Sequence, residues 1–128
     1  AAYSLAALEQ AAQHLVRCGA AGLLVLPGDL PGLSGSEVAR LIGAHPAGRA
    51  VSLVAAHDGQ GTNALLATPP DAVRFHFGPG SLAAHRAAAR AAGMAAFVHE
   101  AGALPGIGFD VDATLAKAVR DGVQGEAP

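Results

Sequence analysis

The chain has 128 residues, 52% of them hydrophobic and 4% aromatic, with a formal net charge of −2, which suits one domain with its own core rather than two. Lys and Arg are scattered, which excludes the basic footprint of a nucleic-acid binder. Apolar runs such as "AAGLLVL" fall far short of the roughly 20 residues of a membrane helix, so no membrane partner is expected.

In chain order, Leu5, Leu8, Ala12, Leu15 and Val16 recur at helical spacing and predict a helix from Ser4 to Arg17, with Ser4 as N-cap. Cys18 follows it without a nearby His or Cys partner, so no internal disulfide forms and the thiol reads as buried or half-buried. "GLLVLPGD", Gly22 to Asp29, is a continuous apolar run closed by Pro-Gly-Asp, as expected of a strand covered on both faces. Ser34 with Glu37 three residues later carries the signature of a capping box and opens a helix to Ile42. "AVSLVAA" from Ala50 to Ala56 and "NALLAT" from Asn63 to Thr68 predict two strands, the second stopped by Pro69 and Pro70.

Gly78-Pro79-Gly80 and Gly93 bracket an Ala-rich helix from Ser81 to Ala92. "MAAFVH" predicts a strand and "GIGFDVD" a short strand or turn. Asp112 then caps a last helix, Ala113 to Arg120, before a frayed tail. Strands and helices alternate with short connections, which predicts an α/β fold with helices on both sides of a largely parallel sheet. Ligands of such sheets collect outside the carboxyl ends of the strands. Asp29, the 57–63 loop, the 78–81 turn and the Asp110/Asp112 pair all follow strands or strand-like runs.

Three groups of residues carry candidate chemistry. Asp29, and Asp110 with Asp112 on alternate positions of an extended run, offer carboxylates to a hard cation. Oxygen donors without paired Cys favour Mg²⁺ over Zn²⁺. The plainer readings are a turn-forming Asp29, a solvated Asp110 and a capping Asp112. "RFHFGPGS" has the makings of an anion cradle: Gly78 and Gly80 let the backbone approach, Ser81 offers a hydroxyl, and the helix behind presents N–H groups. "HDGQGTNALL" repeats the theme, with Gly59 and Gly61 loosening the backbone before Thr62 and Asn63; an ordinary strand-to-strand turn uses the same residues. The six histidines show no zinc-site spacing. His57, His76 and His85 stand near the glycine loops, in reach of a phosphate or in surface or packing roles, while His14 and His45 read as surface residues.

In their order and spacing, "LVLPGDLPGLS", "HDGQGTNALL", "FHFGPGSLAAHRAAARAAG" and "GFDVD" resemble the guanylyltransferases of coenzyme F420 biosynthesis, which act on phospholactate or phosphoenolpyruvate. These belong to the wider MobA-like nucleotidyltransferase group, and the resemblance runs from about Ser4 to Val119. It implies a three-layer αβα Rossmann-like nucleotidyltransferase fold with a mainly parallel sheet, and an enzyme that joins GMP from GTP to a small phosphorylated acid; the short apolar runs and the uncharged N-terminal stretch make a cytoplasmic protein the expectation. By motif, Asp29, Asp110 and Asp112 would hold Mg²⁺, while Thr62, Gly78 and Ser81, with Asn63 and Gly80 beside them, would hold the acid. Ser4 falls where the family contacts the nucleotide.

The resemblance assigns no general acid or base. The family's first strand and basic glycine loop have no counterpart before Ala1, so residues 1–128 are expected to form one α/β unit, the larger C-terminal part of a nucleotidyltransferase domain. A transferase for a molybdopterin-type acceptor and a noncatalytic phosphometabolite-binding domain stand as alternatives. The sequence leaves homo-oligomerisation open.

Overall fold

A computed structural model describes residues 5–109. The chain forms α1 (Leu5–Arg17), β1 (Leu23–Val25), α2 (Gly35–Ala44), β2 (Ala50–Ala55), β3 (Thr62–Thr68), α3 (Ser81–Ala91) and β4 (Ala96–His99). A 3₁₀ turn, Ala101–Ala103, then leads into the short helix α4 (Pro105–Gly108). The predicted helix 113–120 and the tail lie outside the described residues. "GIG", expected as strand or turn, is helical instead, because Pro105 starts a helical turn and Phe109 N–H closes it on the Pro105 carbonyl at 3.1 Å.

The four strands are ordered β1-β3-β2-β4. β3 is antiparallel to both β1 and β2, whereas β2 and β4 are parallel. Three strands therefore run one way, as a mainly parallel sheet requires, but β3 is reversed and two of the three pairings are antiparallel. The reason is the length of the connection. Residues 56–61 close a hairpin, with Ala56 N–H on Gly61 O and Gly59 N–H on Ala56 O, both at 2.9 Å. A parallel return needs a crossover of a dozen or more residues.

Alternation along the strands sends side chains to two cores. Val51, Leu53, Ala55, Leu65 and Ala67 meet Ala12 of α1 and Leu82 and Ala89 of α3 on one face. Val54 and Ala64 meet Leu41 of α2 and Ile107 of α4 on the other. The expected helices on both sides of the sheet are thus present. Leu41, Leu53, Leu65 and Ile107 are fully buried, and each contributes about 2 kcal/mol of transfer free energy.

The α2 start realises half of the predicted capping box. Ser34 Oγ accepts the Glu37 N–H at 3.3 Å. The Glu37 carboxylate, however, accepts the Gly106 N–H at 3.0 and 3.1 Å, clamping α2 to α4. Gly106 must be glycine there, since a Cβ would run into Gly32 and Glu37. Two other expectations change. Cys18 is exposed, just past the end of α1 at Arg17, and it does have a histidine partner: its Sγ lies 3.5 Å from His14 Nε2 of that helix. His45 is half-buried rather than a surface residue, bridging two hydroxyls behind α2.

Candidate functional site

β1 and β2 end, and β3 begins, at the same end of the sheet, since Val25 pairs with Leu65 and Ala55 with Thr62. What the sheet offers at that end depends on a bulge. The register steps from Val54↔Ala64 to Ala55↔Thr62, leaving Asn63 as the extra residue of β3. Strict alternation would have turned Thr62 to the α4 face along with Ala64. The bulge re-aims it to the α3 face, where its hydroxyl meets two side chains of that helix, and sends Asn63 the other way.

On the α3 face Thr62, Ser81 and His85 form a buried cluster, exposed by 9%, 2% and 0% respectively. Ser81 O–H donates to Thr62 Oγ1 at 3.1 Å. His85 Nδ1 lies 3.0 Å from the same oxygen, and the His76 backbone N–H donates to His85 Nε2 at 2.9 Å. Because Nε2 accepts, the neutral ring carries its proton on Nδ1 and donates it to Thr62. Burial, with a smaller contribution from the neighbouring His76, lowers the His85 pKa from 6.5 to about 4, so the ring is neutral near pH 7. Phe77 packs edge-on against it, with ring centroids 4.8 Å apart.

The glycine turn before α3 has φ of 139° at Gly78 and 69° at Gly80, a backbone region open mainly to glycine. A Cβ at either would meet nothing within 4 Å, so it is backbone conformation, not crowding, that calls for glycine. The N–H groups behind the turn are only partly available to an anion. Ser81 N–H bonds Gly78 O at 3.2 Å and Leu82 N–H bonds Gln60 O at 2.9 Å. The second bond joins the two glycine loops, both of which the sequence placed after strand-like runs where they could converge on one edge. Between them Gly59, Gln60, Gly80, Leu82, Ala83 and Arg86 line a half-open cleft of about 260 Å³. The loop opposite is stiffened by Asp58, which accepts the Gln60 and Gly61 N–H groups at 2.8 and 3.1 Å. Those bonds hold its carboxyl below the usual carboxylate range.

Thr62 and Ser81 are therefore brought together, with Gly78 and Gly80 shaping the turn beside them. Asn63, grouped with them by sequence, stands apart: its side-chain N–H₂ donates to the Ile107 and Gly108 carbonyls at 3.1 and 3.0 Å, pinning α4 to the opposite face. Asp29 is exposed in the segment leaving β1 at the site end of the sheet. Ser4, Asp110 and Asp112 lie outside the described residues. Among those described, no three His, Cys, Asp or Glu side chains group as a metal site. Sequence reasoning missed the His85 bridge and Arg86. The signal was available in α3, where Ser81 with His85 and Leu82 with Arg86 are both four apart and share a face.

The family described as "Guanylyl transferase CofC like" matches residues 5–115. Three proteins named phosphoenolpyruvate guanylyltransferase are similar to the chain. That of Rubrobacter xylanophilus is 41% identical over 109 residues, covering 84% of this chain and 51% of the relative. That of Conexibacter woesei is 38% identical over 100 residues, covering 77% and 44%. That of Roseiflexus sp. is 45% identical over 84 residues, covering 66% and 36%. The chain spans about half the length, or less, of the curated relatives it matches.

Proposed function

The chain belongs to the family of CofC-like guanylyl transferases, and from that premise we propose that the protein transfers GMP from GTP to a small phosphorylated acid, phosphoenolpyruvate first, in coenzyme F420 biosynthesis. The carrying observation is the Thr62–Ser81 hydroxyl pair, drawn from two chain segments to one point beside a glycine turn at the carboxyl end of the sheet. A phosphate oxygen of the acid attacks the α-phosphorus of GTP. A new P–O bond forms there, the bond to the β-phosphate bridge breaks, and pyrophosphate leaves with the electron pair. Since the attacking phosphate is already a nucleophile, the protein's contribution is positioning and charge neutralisation rather than proton abstraction.

Thr62 and Ser81 bind the acid in this reading, with the Gly78–Gly80 turn shaping its pocket and Ser4 contacting the nucleotide. The exposed Asp29 carboxylate suits an oxygen-ligated cation, and with Asp110 and Asp112 it would hold Mg²⁺. When bound, Mg²⁺ supplies charge neutralisation at the phosphates. Among the described residues no helix is long and apolar enough to cross a membrane. The free, exposed Cys18 thiol accords with a reducing, cytoplasmic setting.

The test is incubation of the protein with GTP, Mg²⁺ and, separately, phosphoenolpyruvate, 2-phospholactate and 3-phosphoglycerate, with pyrophosphate as the readout. Release is expected with at least one acid, phosphoenolpyruvate the fastest. Silence with all three would sink the proposal.

A further inference from the structure

Resting on the reading of Thr62 as a phospho-acid ligand, we propose that His85 is a positioning residue: fixed as its Nδ1–H tautomer, it makes Thr62 an acceptor toward the protein and so directs the threonine's own hydrogen to the substrate. A threonine hydroxyl has two acceptor lone pairs and one hydrogen. Ser81 O–H and His85 Nδ1–H, at 3.1 and 3.0 Å, occupy the lone pairs. Neither bond uses the hydrogen. The His76 backbone N–H on Nε2 is what decides the arrangement, because a ring that accepted at Nδ1 would draw the Thr62 hydrogen inward and would leave Nε2–H facing another N–H.

The consequence is a preference for ligands that can only accept. Phosphate and carboxylate oxygens are such groups at neutral pH, whereas an amide or ammonium nitrogen would bring a hydrogen to a hydroxyl already committed as donor. His85 is fully buried, so it acts through Thr62 rather than on the substrate itself. The imidazole is held by a T-shaped contact with the Phe77 ring and by the His76 N–H.

Two substitutions separate the two ring nitrogens. His85→Asn places a side-chain N–H near the Nδ1 position and keeps a donor for Thr62. His85→Gln reaches the Nε2 position, where it can still accept from His76 but offers Thr62 nothing. Phosphoenolpyruvate, titrated calorimetrically in the presence of Mg²⁺, is expected to bind His85→Gln about tenfold more weakly and His85→Asn within about threefold of the unmodified protein. The double variant Thr62→Val/His85→Gln is expected to bind no more weakly than Thr62→Val alone, since both changes remove the same hydrogen bond. In the unmodified protein, ¹⁵N spectra of the histidines at neutral pH should show His85 as the Nδ1–H tautomer.

A folded His85→Gln that binds phosphoenolpyruvate normally would overturn the inference, as would multiplicative effects of the two substitutions or an Nε2–H tautomer. Should His85→Gln not fold, the tautomer and the His85→Asn titration still decide. If phosphoenolpyruvate binds with these dependences but no pyrophosphate is released in the assay above, the guanylyltransferase reading fails and this one stands. Turnover that is indifferent to His85→Gln has the opposite meaning.

Discussion

The two ends of β3 carry the same chemical groups and use them differently. At the last residue of the strand, Thr68 meets His45 Nε2 at 2.8 Å, while His45 Nδ1 meets Ser52 Oγ at 2.7 Å. At the first, Thr62 meets His85 and Ser81. Each unites one histidine with a threonine and a serine hydroxyl, but His45 itself bridges its two hydroxyls, whereas Thr62 is the hub of the other cluster. The difference is the fate of one hydrogen: Thr68 donates to Gly48 O at 2.7 Å, closing its network within the protein, whereas neither bond of the Thr62 cluster takes the Thr62 hydrogen. A closed network can only hold a fold together. One with a donor left over, beside a glycine turn and a cleft, can hold a ligand.

The largest change that should break this contrast is in pH. Burial lowers the pKa of both His85 and His45 below 6.5, so the unfolded chain takes up protons that the folded one refuses. Stability is therefore full above the ordinary histidine value, falls as pH drops below 6.5, and for His85 levels off near its folded value of about 4. Melting temperature against pH checks this, and His85→Asn should flatten the slope more than His45→Asn, given the deeper burial of His85. Next in size is Asn63→Ala, which strips two buried carbonyls of their donor and loosens α4; a loss of about 3 kcal/mol is expected by denaturant titration.

The Thr→Val pair addresses the comparison directly. Thr68→Val should lower stability by about 2 kcal/mol and leave phosphoenolpyruvate affinity unchanged. Thr62→Val should do the reverse, weakening phosphoenolpyruvate binding about tenfold while costing less than about 1 kcal/mol in folding. Calorimetry with matched denaturation curves distinguishes them, and equal effects on both quantities would erase the distinction between the two ends. The smallest expected effect belongs to Arg86→Ala. Arg86 lines the cleft from an exposed position, so a loss of roughly threefold in acid affinity, shrinking as salt is added, should appear in the same titration.

Much of this was legible from local chemistry. The 3.6-residue spacing of Leu5, Leu8, Ala12 and Leu15 marks α1, and Ser34 and the Gly78-Pro79-Gly80 turn mark the starts of α2 and α3. Glycine at 78 and 80 was expected for close backbone approach, but what calls for it is the positive φ of each residue, which sterics at a single residue decide. The direction of β3 was also within reach, since a six-residue connection between two strands leaves room only for a hairpin. What led elsewhere was the α/β alternation of the rest of the chain, which favours parallel pairing on average.

By itself, then, the sequence determined the class of fold, the presence and starts of α1 to α3, the glycine turn and the family, because these rest on short-range sterics, on hydrophobic period and on motif order. It could not determine which way Thr62 points. That depends on a one-residue bulge against β2, and a single step of register exchanges the faces of a strand. Nor could it tell Thr62 and Asn63 apart as an α3-facing and an α4-facing residue, or give the hydrogen-bond partners of His85 and His45. Each of these differences lies in where one hydrogen goes, and only partners brought together over long stretches of chain, Thr62 with His85 and Asn63 with Ile107 and Gly108, decide that.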